Sequence, residues 1–290
     1  HTGRRYADEP GMPLISLSNE GSNGYWWSPE ARETPAMQAA WAAWIKERRA
    51  KDPAFTAVSE TMRLGGQSDG EKAAMARFIA DTEARMVVRM KAFLRDEIGC
   101  RALISNYNCG PQHTTIQQVR EQLYDYVDDH FYVDHPQFII NEWQLPSRCD
   151  NSNPILKGCP VPCQTAFTRL TNKPFTVTEY NFSGPGMYRG VGGILTGAMG
   201  ALQSWGGMWR FAYSHNLVNI FGEGTPGYFD LATDPLAQAS ERASICMFLR
   251  GDIESMEDGV AILLQPRDGS GLPDDQVRHV APDWNGAAWQ

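Results

Sequence analysis

Five times along this chain a short apolar run of strand character breaks off into Asn, Glu, His, Ser or Tyr. The runs are Met12 to Glu20, Ala102 to Tyr107, Tyr126 to Tyr132, Phe175 to Glu179, and Gly207 to Tyr213. Helical periodicity fills most of the intervals. From Thr34 to Arg49 the apolar residues Met37, Ala40, Trp41, Trp44 and Ile45 recur at helical spacing, and from Gly70 to Ile98 so do Met75, Phe78, Ile79, Met86, Val87, Met90 and Phe93. These Met and Trp stripes read as helix faces packed on a core. Further helices are expected over Ile116–Leu123, near Gln164–Leu170, over Tyr188–Trp205, and from a Thr233-Asp234-Pro235 cap to Leu249. Strands alternating with helices in this way predict βαβ units around a parallel sheet. A chain of 290 residues has room for one large domain or two smaller ones. The segment Gly259 to Leu264 reads as the first strand of a separate, β-rich domain.

Charge narrows the partners. Twenty-six basic against 34 acidic side chains give a net −8, with no Lys/Arg-rich run, so the electrostatic footprint of a nucleic-acid binder is missing. No run of 18 apolar residues is present, which argues against a membrane span. Nine Trp, ten Tyr and twelve Phe, many beside Gly, Asn or Pro, suit sugar rings, whose apolar faces stack while their hydroxyls need hydrogen bonds. Cys149, Cys159 and Cys163 crowd one Pro- and Gly-rich loop, where a disulfide is the expected staple and would imply an oxidising compartment. Zinc is the competing reading, but spacings of 10 and 4 fit no common zinc pattern. The pairing is left open.

The chemistry centres on Lys173 to Gly186. Phe175, Thr176 and Val177 read as a buried strand closing on Glu179, after which Asn181, Ser183 and Gly184 lead into a loop. A carboxylate at the end of a buried strand is costly to desolvate, so it needs partners or a task. Taken alone, it reads as a strand-end ion pair. Glu20, however, closes the first run in the same way. If both strands belong to one barrel, both carboxylates reach the same rim. Two carboxylates about 5 Å apart are the apparatus of retaining glycoside hydrolysis.

Three short motifs in this order, Ser18-Asn19-Glu20, His130-Phe131-Tyr132 and Thr178-Glu179, resemble those of the clan A glycoside hydrolases, such as families 5, 39, 42 and 50. The resemblance covers roughly residues 11 to 250. It implies a (β/α)8 TIM barrel with Glu20 as acid/base after the fourth strand and Glu179 as nucleophile on the seventh. It also implies that Asn19 binds a sugar hydroxyl, that Tyr132 hydrogen-bonds the nucleophile, and that Trp209, or Tyr213 in another register, supports the sugar. His130, Asn106 and Trp26 complete the substrate-binding candidates. Read one by one, His130 is a satisfied strand histidine, Tyr132 a core aromatic, and His215-Asn216 a turn or a lining of the site. Asn141-Glu142 repeats the Asn-Glu pair but sits in a loop and is set aside.

On this numbering the first three strands are missing. Residues 1–250 are then the C-terminal part of a glycosidase barrel, completed by another segment or chain, and 251–290 begin a β-rich accessory domain. The substrate expected is an oligo- or polysaccharide, and the location secreted or periplasmic. No metal or organic cofactor is called for, since the carboxylate pair and ring distortion suffice. The rival from another class is a non-catalytic carbohydrate-binding barrel.

Overall fold

Leu14-Ile15-Ser16 and Leu103-Ile104-Ser105 pair residue for residue as parallel strands in the computed structural model of the chain. It describes residues 3–21, 33–63, 67–108, 114–158, 160–221, 224 and 227–256. The chain divides into two compact units, His1–Asp125 and Tyr126–Gln290.

The first unit runs β1 (Leu14–Ser16), α1 (Pro35–Lys51), α2 (Asp69–Ala92), β2 (Leu103–Ser105) and α3 (Thr114–Leu123). Thr34 starts α1: its Oγ1 accepts the Met37 amide at 3.3 Å, and Pro35 needs no hydrogen-bond partner there. Ser68 and Glu71 form a reciprocal capping box on α2. The stripe on α1 buries Trp41, Trp44 and Ile45 against Val58, Met62 and Phe78. Trp41 and Trp44 stack with centroids 5.7 Å apart, and Phe78 meets both rings edge-on. Val87 and Met86 serve a second cluster with Tyr107, Ile116 and Tyr124. The Met and Trp stripes are helix faces on a core.

The second unit runs β3 (Val127–Val133), β4 (Gln137–Phe138), β5 (Ser147–Arg148), α4 (Pro160–Ala166), β6 (Phe175–Phe182), α5 (Gly192–Leu202), β7 (Gly207–Arg210), α6 (Leu217–Ile220) and α7 (Pro235–Ser244). Strands β3, β6 and β7 form a parallel sheet with β6 in the centre, and β4 pairs with β5 antiparallel. Val127, Phe131, Val133, Phe175, Val177, Tyr180 and Phe182 make the core, with Leu195 and Met199 of α5 against it. Helices α5 and α7 cross closely because glycines line the crossing. A Cβ on Gly193 would lie 2.2 Å from the Ser240 carbonyl oxygen, and one on Gly197 2.6 Å from the Ser244 Cα.

Several boundaries differ from the sequence expectation. Strand β1 stops at Ser16, so Asn19 and Glu20 sit in the turn beyond it. Strand β6 continues past Glu179 to Phe182, because Phe182 and Ser183 still find partners on β3. The helix expected near Gln164–Leu170 lies earlier, at Pro160–Ala166, with Val161 extended inside it. The helix expected over Tyr188–Trp205 splits into a 3-10 turn, Met187–Val191, and α5. Trp26, Cys109, Cys159 and the segment Gly259–Leu264 lie outside the described residues. Among the described residues no helix is long and apolar enough to cross a membrane.

Candidate active site

Strict alternation along β6 would point Glu179 to the same side as Phe175 and Val177, into the core. It does not, because β6 carries an extra residue. Asp129 pairs with Val177 but His130 pairs with Glu179, and on the other edge Val177 and Tyr180 face Met208 and Arg210. Thr178 is the bulged residue, and such an insertion shifts the side-chain parity by one. Tyr180 and Phe182 thereby take over the core face, and Glu179 turns to the opposite one. On β3, which has no insertion, Asp128, His130 and Tyr132 occupy that same face by simple period two.

The bulge brings five side chains together. The Tyr132 hydroxyl donates to Glu179 Oε1, and His130 Nδ1 lies 3.4 Å from Glu179 Oε2. His130 Nε2 is 3.0 Å from Thr178 Oγ1, whose hydroxyl donates to Asp128 Oδ2. Asp128 is fully buried and also accepts the Thr176 hydroxyl at 2.7 Å and the Thr178 amide at 3.1 Å. Donor logic fixes the protons. The single Thr178 hydroxyl proton goes to Asp128, so Thr178 Oγ1 accepts from His130 and Nε2 carries hydrogen. Nδ1 faces Glu179 and donates to it when the imidazole is cationic. Glu179 thus has the Tyr132 hydroxyl on one oxygen and the His130 ring beside the other. His130 Nδ1 and Glu179 Oε2 are also a donor pair that a metal ion could share.

Around this carboxylate the second unit builds an aromatic wall. Tyr132 packs against His135 (centroids 5.5 Å), Phe211 (6.3 Å) and Phe229 (5.4 Å). The hairpin β4–β5 adds Trp143, 5.8 Å from His135 and 6.2 Å from Phe229. Trp143 is more than half exposed and holds a left-handed backbone, φ 60°, where a bulky side chain is rare. Strand β7 is followed by a segment pinned through Asn181, whose amide donates to the carbonyls of Phe229 (2.9 Å) and Phe211. Arg210 ties Asn181 to Glu241 through 3.0 and 2.6 Å bonds.

The other sequence candidates fall as follows. Trp209, opposite in parity to core-facing Met208, is half-exposed with its ring over Gly207. Tyr213 is exposed beyond the end of β7. In the first unit, Glu20 adopts φ 47° and its amide donates to Asn108 Oδ1 at 2.7 Å, so a side-chain acceptor holds a strained turn. Asn19 is exposed beside it. Asn106 is buried, with its amide donating to Glu83 at 2.8 Å. The sequence points to no chemistry at Asp128, marks Thr178 only as the residue before Glu179, and does not single out Trp143 or Phe229. Of these Asp128 carries a signal of its own: a charged residue inside an apolar strand, two places before His130.

A parallel sheet with helices, carrying a carboxylate beside an aromatic wall, makes the described second unit a mixed α/β structure. No protein family, curated protein or solved structure matches the chain.

Proposed function

We propose that this chain is the catalytic part of a retaining glycoside hydrolase acting on an oligo- or polysaccharide, with Glu179 as nucleophile and Glu20 as acid/base. One observation carries the reading. Glu179 is turned off the core by a bulge, accepts the Tyr132 hydroxyl on one oxygen with the His130 ring 3.4 Å from the other, and lies beside the aromatic rings that pack on Tyr132. A nucleophile for an anomeric carbon needs that combination: a fixed, ionised carboxylate whose charge is moderated but not sealed, beside surfaces on which a pyranose can stack. The attack forms a bond from a Glu179 oxygen to the anomeric carbon as the glycosidic oxygen departs with a proton from Glu20. Water then attacks the same carbon while Glu20 recovers the proton and Glu179 leaves. The fold that goes with this activity is a (β/α)8 barrel, and parallel sheets of two and three strands are its kind of building unit. An oxidising location and a disulfide in the Cys149–Cys163 loop belong to the same reading.

Paired substitutions test it. Glu179→Gln lowers turnover of aryl glycosides at least about 10⁴-fold with the melting profile kept. Glu20→Ala spares substrates with good leaving groups and is rescued by azide, giving a glycosyl azide of retained configuration. Sugar binding by the wild-type protein without any hydrolysis would instead favour the carbohydrate-binding barrel.

A further inference from the structure

At the far side of the aromatic wall sits an imidazole that the chemistry above does not use. His215 follows β7 by five residues and its side chain is 46% exposed, whereas its partner Asp230 is 4% exposed. Asp230 accepts three donors: the His215 amide at 3.0 Å, His215 Nδ1, and the Asn219 side-chain amide. Asn219 is itself fixed, since its backbone amide donates to Asn216 Oδ1 at 2.8 Å. Burying a carboxylate is costly, and three donors offset the cost here. The result is an imidazole locked in orientation, with Nδ1–H turned inward and Nε2 outward. A framework ion pair does not need an exposed ring with one nitrogen left over. The ring is flanked by Phe211 (5.2 Å) and Phe229 (6.2 Å), and both of those rings also pack on Tyr132, which bonds Glu179.

We propose that His215, oriented by Asp230, is a substrate-binding residue that takes a hydroxyl of a neutral pyranose through Nε2, on the same wall as Glu179. The inference rests on the glycosidase reading and deepens it. With Nδ1 holding its proton against Asp230, neutral Nε2 accepts a sugar O–H, and a protonated ring donates to a sugar oxygen. The neighbouring phenylalanine faces take the C–H side of the ring. The ring contacts that join His215 to Glu179 run through a phenylalanine and Tyr132, and the proposal therefore assigns it a sugar unit other than the one whose bond breaks. It sets specificity and does not transfer a proton in the reaction.

The test uses the Glu179→Gln protein, which binds without turning over, titrated calorimetrically with β-1,4-linked gluco-, galacto- and manno-tetraose. At least one binds, His215→Ala weakens that binding about tenfold, and His215→Gln restores it to within about threefold by supplying an amide acceptor. Ring-nitrogen NMR of the Glu179→Gln protein, with His215 intact, shows the proton on Nδ1 and a shift of the Nε2 signal when sugar is added. Affinity changed less than twofold in His215→Ala, or an Nε2 signal unmoved by saturating sugar, overturns the assignment and leaves the glycosidase reading standing. Failure of all three sugars to bind, with no hydrolysis by the wild type, overturns both. Should His215→Ala not fold, His215→Gln and the NMR shift decide alone.

Discussion

Among the described residues three glutamates accept a tyrosine hydroxyl, and their surroundings set them apart. Glu83 takes Tyr124 together with the Asn106 amide, wholly buried. Glu241 takes Tyr180 at 2.7 Å together with Arg210 and keeps 11% of its side-chain surface open, with Tyr180 itself buried. Glu179 takes Tyr132 beside His130, but its side chain keeps 16% of its surface open. The donor sets are alike in kind. In the first two, burial above all, and then the adjacent carboxylate, pushes the tyrosine phenol well above its ordinary range, so each hydroxyl stays a donor. Those pairs join helices to neighbouring elements. The third differs by one inserted residue, Thr178, which turns its carboxylate to the face that carries the aromatic wall. The same pair of side chains is framework when sealed and, on the function proposed above, a reaction centre when opened.

The largest effect expected from breaking this contrast comes from truncating a sealed member. Glu83→Ala strands the Tyr124 hydroxyl and the Asn106 amide in an interior with no water to replace the carboxylate. The expected loss is about 3 kcal/mol of stability, read from urea unfolding. Glu179→Gln, in contrast, moves stability by less than about 1 kcal/mol, as expected where a charge is kept for function rather than for the fold. If the two variants lose equal stability, the division between framework and reactive carboxylates is wrong.

Sequence reasoning went furthest where period alone decides the structure. The helix stripes with Trp41, Trp44 and Phe78, the strand character of Leu14-Ile15-Ser16 and Leu103-Ile104-Ser105, and the shared face of His130 and Tyr132 are all legible in local pattern. It fell short where one residue breaks the period. Nothing in Thr176-Val177-Thr178-Glu179 marks Thr178 as an insertion, because any of these residues is at home in a strand. The sequence therefore placed Glu179 at the strand's end, when it lies inside the strand at a bulge. Glu20 was likewise read as closing a strand, but β1 ends four residues earlier and a left-handed turn carries it. Contacts between distant, unmarked residues escaped entirely. His215 and Asp230 are fifteen positions apart, and the short β4–β5 pair that presents Trp143 has only two residues per strand.

A smaller effect sharpens the contrast from behind Glu179. Asp128→Asn keeps an acceptor for Thr176 but turns an N–H toward Thr178, reversing the direction of its hydroxyl. Thr178 then donates to His130 Nε2, and the negative charge that balanced the imidazolium is gone. Turnover should fall about tenfold with KM unchanged. A merely structural Asp128 would change stability and leave kcat where it was.

The smallest effect concerns the sealed tyrosines at high pH. Unfolding releases Tyr124 and Tyr180 into water, where a phenol ionises near pH 10, while in the folded chain both phenols titrate higher. Above about pH 10 the unfolded chain therefore binds fewer protons than the folded one, and stability falls as pH rises. Below pH 10 both states keep the proton and neither tyrosine contributes any slope. At pH 10.5 each such tyrosine lowers stability by about 0.8 kcal/mol relative to neutral pH. Urea midpoints of the wild type and Tyr180→Phe, measured between about pH 9 and 11, isolate one of them. The variant starts less stable, having lost the bond to Glu241, but declines less steeply. A slope in Tyr180→Phe equal to that of the wild type would mean that the Tyr180 phenol is not sealed, and the contrast drawn between its carboxylate and Glu179 would lose its support.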